Sequence, residues 1–188
     1  MKHFLIVFLL FGTLLTHAQD RNWSVDISYP FSVQDKFGSS NQGIVGAGLK
    51  YRFKSVGKLR LGASLDATWF STTIINDSDP IQEFPYRDFF FQPRLFAELP
   101  LTRNNRLRFS GGIGWTWSRS INGPAFFDEF GQVQNGGQWY NGFNLNLGMS
   151  YDISSRVFFK TQYDQIFLSV DTINRNVGLI KLGAGFRF

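Results

Sequence analysis

The chain has 188 residues, of which 43% are hydrophobic and 18% aromatic, with 22 phenylalanines, 19 glycines, no cysteine and a formal net charge of +5. That length fits one domain, and without cysteine an exported chain must rely on its core or on a membrane rather than on disulfides. The basic residues are scattered through every segment with no run and no basic helix, which argues against nucleic acid as a partner.

At the N-terminus Met1-Lys2-His3 precede an apolar run from Phe4 to Leu15, and Thr16-His17-Ala18 follow. A charged start, an apolar middle and a small residue at the end read as a secretory signal peptide. The run is shorter than the roughly 20 apolar residues of a membrane-spanning helix. Cleavage is expected after Ala18, giving a signal peptide over 1–18 and a mature domain over 19–188. No later stretch approaches the length of a membrane helix. That does not make the mature chain soluble, because the apolar residues of barrel strands alternate with polar ones and average away.

From Trp23 onward the pattern is strict alternation, the period of two that marks β-strands. Strands are expected at about 23–31, 43–53, 58–70, 87–99, 105–118, 139–152, 156–167 and 177–188. In the third, Leu59, Leu61, Ala63, Leu65, Ala67 and Trp69 oppose Arg60, Gly62, Ser64, Asp66 and Thr68. In the fifth, Leu107, Phe109, Ile113, Trp115 and Trp117 oppose Arg106, Arg108, Ser110, Gly112, Gly114 and Thr116. The links alternate in length. Lys54 to Gly57, Pro100 to Asn104 and Ser154-Ser155 are short, while Ser32 to Gln42, Ser71 to Tyr86, Arg119 to Gln138 and Leu168 to Asn176 are long. Short periplasmic turns and long outer loops are the outer-membrane pattern. The expected fold is therefore all-β: an eight-stranded antiparallel up-and-down transmembrane β-barrel with both termini periplasmic.

Volume decides which face points inward. The apolar face carries Trp23, Tyr29, Tyr51, Phe53, Trp69, Phe89, Phe91, Phe109, Trp115, Trp117, Phe143, Tyr151, Phe159, Tyr163, Phe186 and Phe188. An eight-stranded barrel encloses only enough space for side chains or one small ligand, so these rings belong outside. They concentrate near strand ends, as interface girdles do. The opposite face is rich in glycine, including Gly46, Gly48, Gly62, Gly112, Gly114, Gly142, Gly148, Gly183 and Gly185, which suits a narrow interior. Reversing the faces would place Arg60, Arg94, Arg108 and Lys160 in lipid, at about 2–4 kcal/mol each near the midplane. This separates the chain from a soluble lipocalin-like barrel.

The inward face is then expected to carry Asp26, Lys50, Arg52, Arg60, Asp66, Gln92, Arg94, Glu98, Arg108, Asn144, Asn146, Asp152, Lys160, Gln162, Asp164, Lys181 and Arg187. Charges taken out of bulk water need partners. Their eight bases and five acids imply ladders in which arginines share carboxylates, with water in the gaps. Such an interior is either a polar plug that fixes register or an ion path. Side chains this long largely fill a barrel of eight, which favours the plug and argues against a porin.

The only histidines are His3 and His17, both within the expected signal peptide. A mature chain lacking histidine and cysteine has no Ser-His pair and no zinc site of the common type. No cofactor is implied and no enzyme is expected; a carboxylate-only activity has no residue pattern in its favour. Asp77-Ser78-Asp79 with Glu83 lack the spacing of a calcium loop and read as a solvated acidic loop. Gly46 and Gly48 lie mid-strand with no helix after them, so they are not a phosphate loop. The third outer loop contains Pro124-Ala125-Phe126-Phe127-Asp128-Glu129-Phe130 and then Gly136-Gly137. There Phe126, Phe127 and Phe130 either form a contact surface, fold back onto the barrel mouth, or extend the sheet above the membrane.

The last strand reads Lys181-Leu182-Gly183-Ala184-Gly185-Phe186-Arg187-Phe188. It resembles the C-terminal signal of outer-membrane barrels: a polar residue, a glycine two later, then two aromatics spaced by one. Lys181, Gly183, Phe186 and Phe188 take those positions. The chain from residue 19 onward is similar in architecture to the small OmpA-domain and OmpX class of barrels. That resemblance implies a bacterial outer-membrane location, contact with outer-membrane lipid and lipopolysaccharide, and recognition by the barrel-assembly machinery during biogenesis. It carries no activity motif. The leading functional reading is a structural or interaction protein acting through its outer loops. The others are an accessory subunit that meets an outer-membrane protein partner through its lipid-facing wall, a narrow low-conductance channel, and a histidine-free enzyme.

Overall fold

The computed structural model describes residues 22–33, 41–76, 82–121, 126–127, 133–134, 138–170 and 173–188. The expected signal peptide, Asp77 to Asp79 and Phe130 lie outside the described residues. The strands are β1 (Trp23–Ser32), β2 (Asn41–Val56), β3 (Leu59–Asn76), β4 (Gln82–Pro100), β5 (Leu107–Ile121), β6 (Phe126–Phe127), β7 (Val133–Gln134), β8 (Gln138–Asp152), β9 (Val157–Val170) and β10 (Ile173–Arg187). Eight of them close into one barrel in the order β1-β10-β9-β8-β5-β4-β3-β2, while β6 and β7 form a separate two-stranded ladder. Every pairing is antiparallel.

Closure runs from Ser24↔Arg187 to Ser32↔Leu179. Trp23 and Phe188 seal its end by exchanging two backbone hydrogen bonds of 3.0 Å. A sheet closed in this way has no edge strand, so its backbone groups are satisfied without water. No helix among the described residues is long and apolar enough to cross a membrane; strands do the crossing.

The strands overrun the expected boundaries at the loop end. β3 and β4 continue pairing from Ser71↔Arg87 to Asn76↔Gln82, so most of the link expected from Ser71 to Tyr86 is ladder. β9 and β10 pair as far as Val170↔Ile173, which shortens the link expected from Leu168 to Asn176 in the same way. The expectation sized each strand by the hydrocarbon thickness, but antiparallel pairing needs no lipid, and Thr72-Thr73-Ile74-Ile75 are β-branched residues suited to a strand. At the other end the turns are tight. Gly57, at a φ of 60°, turns the β2–β3 link, a conformation glycine adopts without strain. Asn105 has a φ of 56°, and Asn104 accepts hydrogen bonds from the Thr102 hydroxyl at 2.7 Å and the Arg106 amide at 3.2 Å. The fifth strand therefore begins at Leu107 rather than 105.

Burial alternates along the strands. Outward side chains are large and apolar: Ile27 is 67% exposed, Leu95 63% and Phe159 58%, an exterior suited to hydrocarbon. Aromatic pairs mark both rims. Trp23 and Tyr51, centroids 4.4 Å apart, lie at the end with the short turns. Phe91 with Trp117, Trp69 with Phe89, and Phe143 with Phe167 lie at the other end, 6.0 to 6.2 Å apart. The β4–β5 pairing passes from Phe91↔Trp117 to Arg94↔Gly114 without pairing Gln92 and Pro93, because a proline nitrogen has no hydrogen to give. Trp23, Tyr51, Ala63, Pro93, Leu95 and Trp115 line a shallow apolar hollow there, on the face that lipid chains cover.

Among the described residues several rings depart from the rule that aromatics stay outside. Phe70, Phe90, Phe96 and Phe158 point inward and are at most 4% exposed. Glycine makes room for two of them. Phe96 sits opposite Gly62 and Phe158 opposite Gly185 in the ladder, and a Cβ on either glycine would strike the facing ring. Phe188, expected on the lipid face, is also buried; its ring lies beside Phe186, centroids 6.4 Å apart, at the seam where its backbone pairs with Trp23.

Substituting Gly62 or Gly185 with Ala is expected to lower stability by about 1–3 kcal/mol through overpacking. Gly111→Ala should change it by no more than about 0.5 kcal/mol, since the nearest atom to its new Cβ would be 3.6 Å away. Urea unfolding of the refolded barrel in lipid vesicles, read by heat-modifiable migration, checks both.

The barrel interior as candidate functional site

Inward residues stack in layers. The layer nearest the short turns is a chain of ion pairs. Arg52 grips Glu98 with two nitrogens, at 3.1 and 2.9 Å. Arg108 bridges Glu98 at 3.1 Å and Asp152 at 3.1 Å. Arg187 pairs with Asp152, donates to Ser150 at 3.1 Å and lies over the Phe158 ring at 4.2 Å. The planar guanidinium suits this sharing, because its fork engages a carboxylate and leaves further donors for the next. Arg60 and Lys50 face the same region half-buried. Lys50 has no carboxylate in ion-pair range among the described residues and lies 5.4 Å over the Phe96 ring. A cavity of about 10 Å³ beside Lys50, Ser150 and Arg187 has room for about one water.

The middle layer centres on Arg94. It reaches Asp66 on β3 at 3.0 Å and Asp164 on β9 at 2.9 Å, and it donates to Asn144 on β8 at 2.6 Å. Asn144 passes a hydrogen bond to Thr116 at 2.9 Å, to which Gln92 also donates at 3.3 Å. Lys181 joins Asp164 at 2.7 Å and Gln92 at 3.1 Å. Gln162 donates to Asp164 at 2.7 Å. Lys160 pairs with Asp26 and stands 3.9 Å from Asp66. Three bases face three carboxylates here, so this layer is neutral, and it ties strands on opposite walls together.

The layer nearest the outer loops is apolar. Phe70, Phe90, Ile166, Leu168, Val177 and Leu179 pack as one buried cluster with Tyr140 against it, and Phe70 meets Phe90 edge to face at 5.8 Å. Sequence reasoning missed this layer because it sorted residues by face and gave the inward face to polar groups. One signal was present: Phe70, Phe90, Ile166 and Leu168 have even numbers in strands whose even positions point inward. Above the cluster, Ser120 donates to Asp88.

The residues read from the sequence fall as follows. Asp26, Arg52, Asp66, Arg94, Glu98, Asp152, Lys160, Asp164, Lys181 and Arg187 are buried inside, and Lys50, Arg60 and Arg108 are half-buried. Of the C-terminal motif, Lys181 is an interior ion-pair member, Gly183 faces Ser28, Phe186 pairs with Val25 and Val157, and Phe188 closes the ladder. Phe126 and Phe127 pair with Gln134 and Val133 in the hairpin β6–β7. Among the described residues no group of three His, Cys, Asp or Glu side chains could hold a metal.

A closed eight-stranded antiparallel barrel with an apolar wall, aromatic rims, short turns at one end and a charged, filled interior has the fold of the small bacterial outer-membrane barrels. Several solved structures share it. The attachment invasion locus protein Ail of Yersinia pestis, in complex with the heparin analogue sucrose octasulfate, superposes with a TM-score of 0.56 at 16% identity, over 88% of this chain and 97% of Ail. The outer-membrane protein OprG of Pseudomonas aeruginosa gives 0.57 at 14% identity, over 88% and 95%. No protein-family model and no curated protein matches the chain.

Removing the central cation takes from buried Asp66 its nearest base and from buried Asp164 one of its two bases. Arg94→Met is therefore expected to destabilise the barrel by about 3–5 kcal/mol, and exposed Arg156→Gln by under about 0.5 kcal/mol. Equilibrium unfolding in lipid vesicles measures the difference.

Proposed function

We propose that the protein is a non-enzymatic outer-membrane barrel, a filled stave whose interior holds the wall in register while its outer loops make contacts. The observation that carries this reading is the stacking of layers across the bore: an arginine-carboxylate chain, a neutral hub and an apolar plug. Residues 19–188 contain no histidine or cysteine, which supports a passive rather than a catalytic role. Loops positioned by a rigid scaffold are where contacts concentrate, and the β3–β4 ladder carries one such hairpin beyond the upper aromatic rim.

Lipopolysaccharide is the partner that the outer rim suits. Arg87 and Arg119 are exposed, outward-facing and on adjacent strands, beside Ile121 and Phe89. Arg119 lies 5.2 Å over the Trp139 ring. Guanidinium groups just above an aromatic belt match the phosphates of an outer-leaflet glycolipid. Ail, by its description, binds a polysulfated sugar, a ligand of related charge. Lys181, Gly183, Phe186 and Phe188 would be read by the assembly machinery before the strand closes.

Planar-bilayer recording tests the plug. The wild-type barrel should show no reproducible unitary conductance, and stable unitary steps would sink the filled-stave reading. Arg87→Gln with Arg119→Gln should weaken lipopolysaccharide retention by about tenfold or more in native mass spectrometry, because two charge-assisted contacts are lost; equal retention would remove these residues from the site.

A further inference from the structure

The three short turns share a composition that the barrel does not need. Lys54, Lys58, Arg103, Arg106 and Arg156 all lie in them or at their edges, and all are exposed. None forms an ion pair among the described residues, and no acidic side chain is exposed in any of the three turns. The interior layer behind them adds to the field. Lys50, Arg52, Arg60, Arg108 and Arg187 there outnumber Glu98 and Asp152, whereas the middle layer is balanced. Positive charge is thus gathered at one end of a chain whose sequence looks evenly basic.

Apolar side chains interleave the same turns. Val56 is 55% exposed, Leu101 52% and Ile153 48%, and Arg156 lies 5.9 Å over the Phe186 ring. The turns are also short, so their cations stay within a few residues of the Trp23–Tyr51 rim. At about 3.3 Å per residue they reach the headgroup layer and little further. A polar cell-wall glycan would need neither the apolar side chains nor this shallow depth, whereas a lipid interface needs both.

We propose that this ring is a seat for anionic phospholipid headgroups of the periplasmic leaflet, with each turn setting its cations on phosphate and its apolar side chain among the upper carbons of the acyl chains. The seat lies at the opposite end from the outer-loop contacts and is independent of them. Basic side chains beside an anionic leaflet each contribute a modest attraction that accumulates and is screened by salt.

The test uses the full barrel, refolded, in nanodiscs of phosphatidylcholine with a minority of phosphatidylglycerol. Retained lipid is read by native mass spectrometry. Wild type should retain phosphatidylglycerol over phosphatidylcholine by about fivefold or more, the factor for a single well-placed cation. The variant with Lys54→Gln, Lys58→Gln, Arg103→Gln, Arg106→Gln and Arg156→Gln should fall to near parity. Replacing Arg103, Arg106 and Arg156 with Lys should keep the preference. If the five-site variant does not fold, Arg103→Gln with Arg106→Gln alone should lower the preference measurably. Equal preference in wild type and the neutralised variant overturns the seat. So does an unchanged lipid preference combined with loss of sedimentation on purified peptidoglycan, which would assign the ring to the cell wall instead.

Discussion

The space inside a barrel is set by its strand number, and at eight it admits side chains and little else. Every inward residue must therefore be small, paired or packed. Arg94 shows how far that constraint reaches. Its guanidinium joins Asp66, Asp164 and Asn144, and the same Asp164 accepts from Lys181 and Gln162. A cation in that position cannot be left unpaired without a large penalty, so β3, β4, β8, β9 and β10 are held in one relative register. The glycines opposite Phe96 and Phe158 obey the same limit by removing volume where a ring needs it.

Polar and apolar layers divide the bore between them. Near the short turns, arginines share carboxylates. Near the loops, Phe70, Phe90 and their neighbours pack as a buried apolar cluster. The proposed plug rests on both, since an apolar layer lacks groups to replace an ion's hydration shell and a paired layer has no mobile charge to hand it on.

Much of the fold was legible in the sequence because alternation is a direct consequence of strand geometry. Asp66 and Arg94 lie on the same face of the barrel for the same reason that Leu65 and Leu95 lie on the other. What alternation could not supply was partner choice. Nothing in the spacing says that Arg52 takes Glu98 rather than Asp152, because that depends on shear and on side-chain reach across the bore. Strand ends were equally hidden. The bilayer sets a minimum length, but Ser71 to Asn76 pair beyond it on their own propensity. The two bulges in β2, at Ile44 and Phe53, let consecutive side chains face outward, which a strict period of two cannot represent. The apolar inner layer was missed because hydrophobicity was equated with the lipid face, although position parity already placed Phe70 and Phe90 inside.

Several interior contacts join residues far apart in the chain. Arg94 and Asn144 are 50 residues apart, Arg52 and Glu98 46, and Lys181 and Gln92 89. Other pairs lie on neighbouring strands, such as Arg108 with Glu98 and Lys181 with Asp164, but Asp26 on β1 waits for Lys160 on β9. A sheet without β9 and β10 therefore leaves Asp26 without Lys160 and Arg94 without Asp164, which raises the cost of entering hydrocarbon before the first and last strands meet. Those long-range pairs are complete only in the closed barrel, whose seam ends where Phe188 meets Trp23.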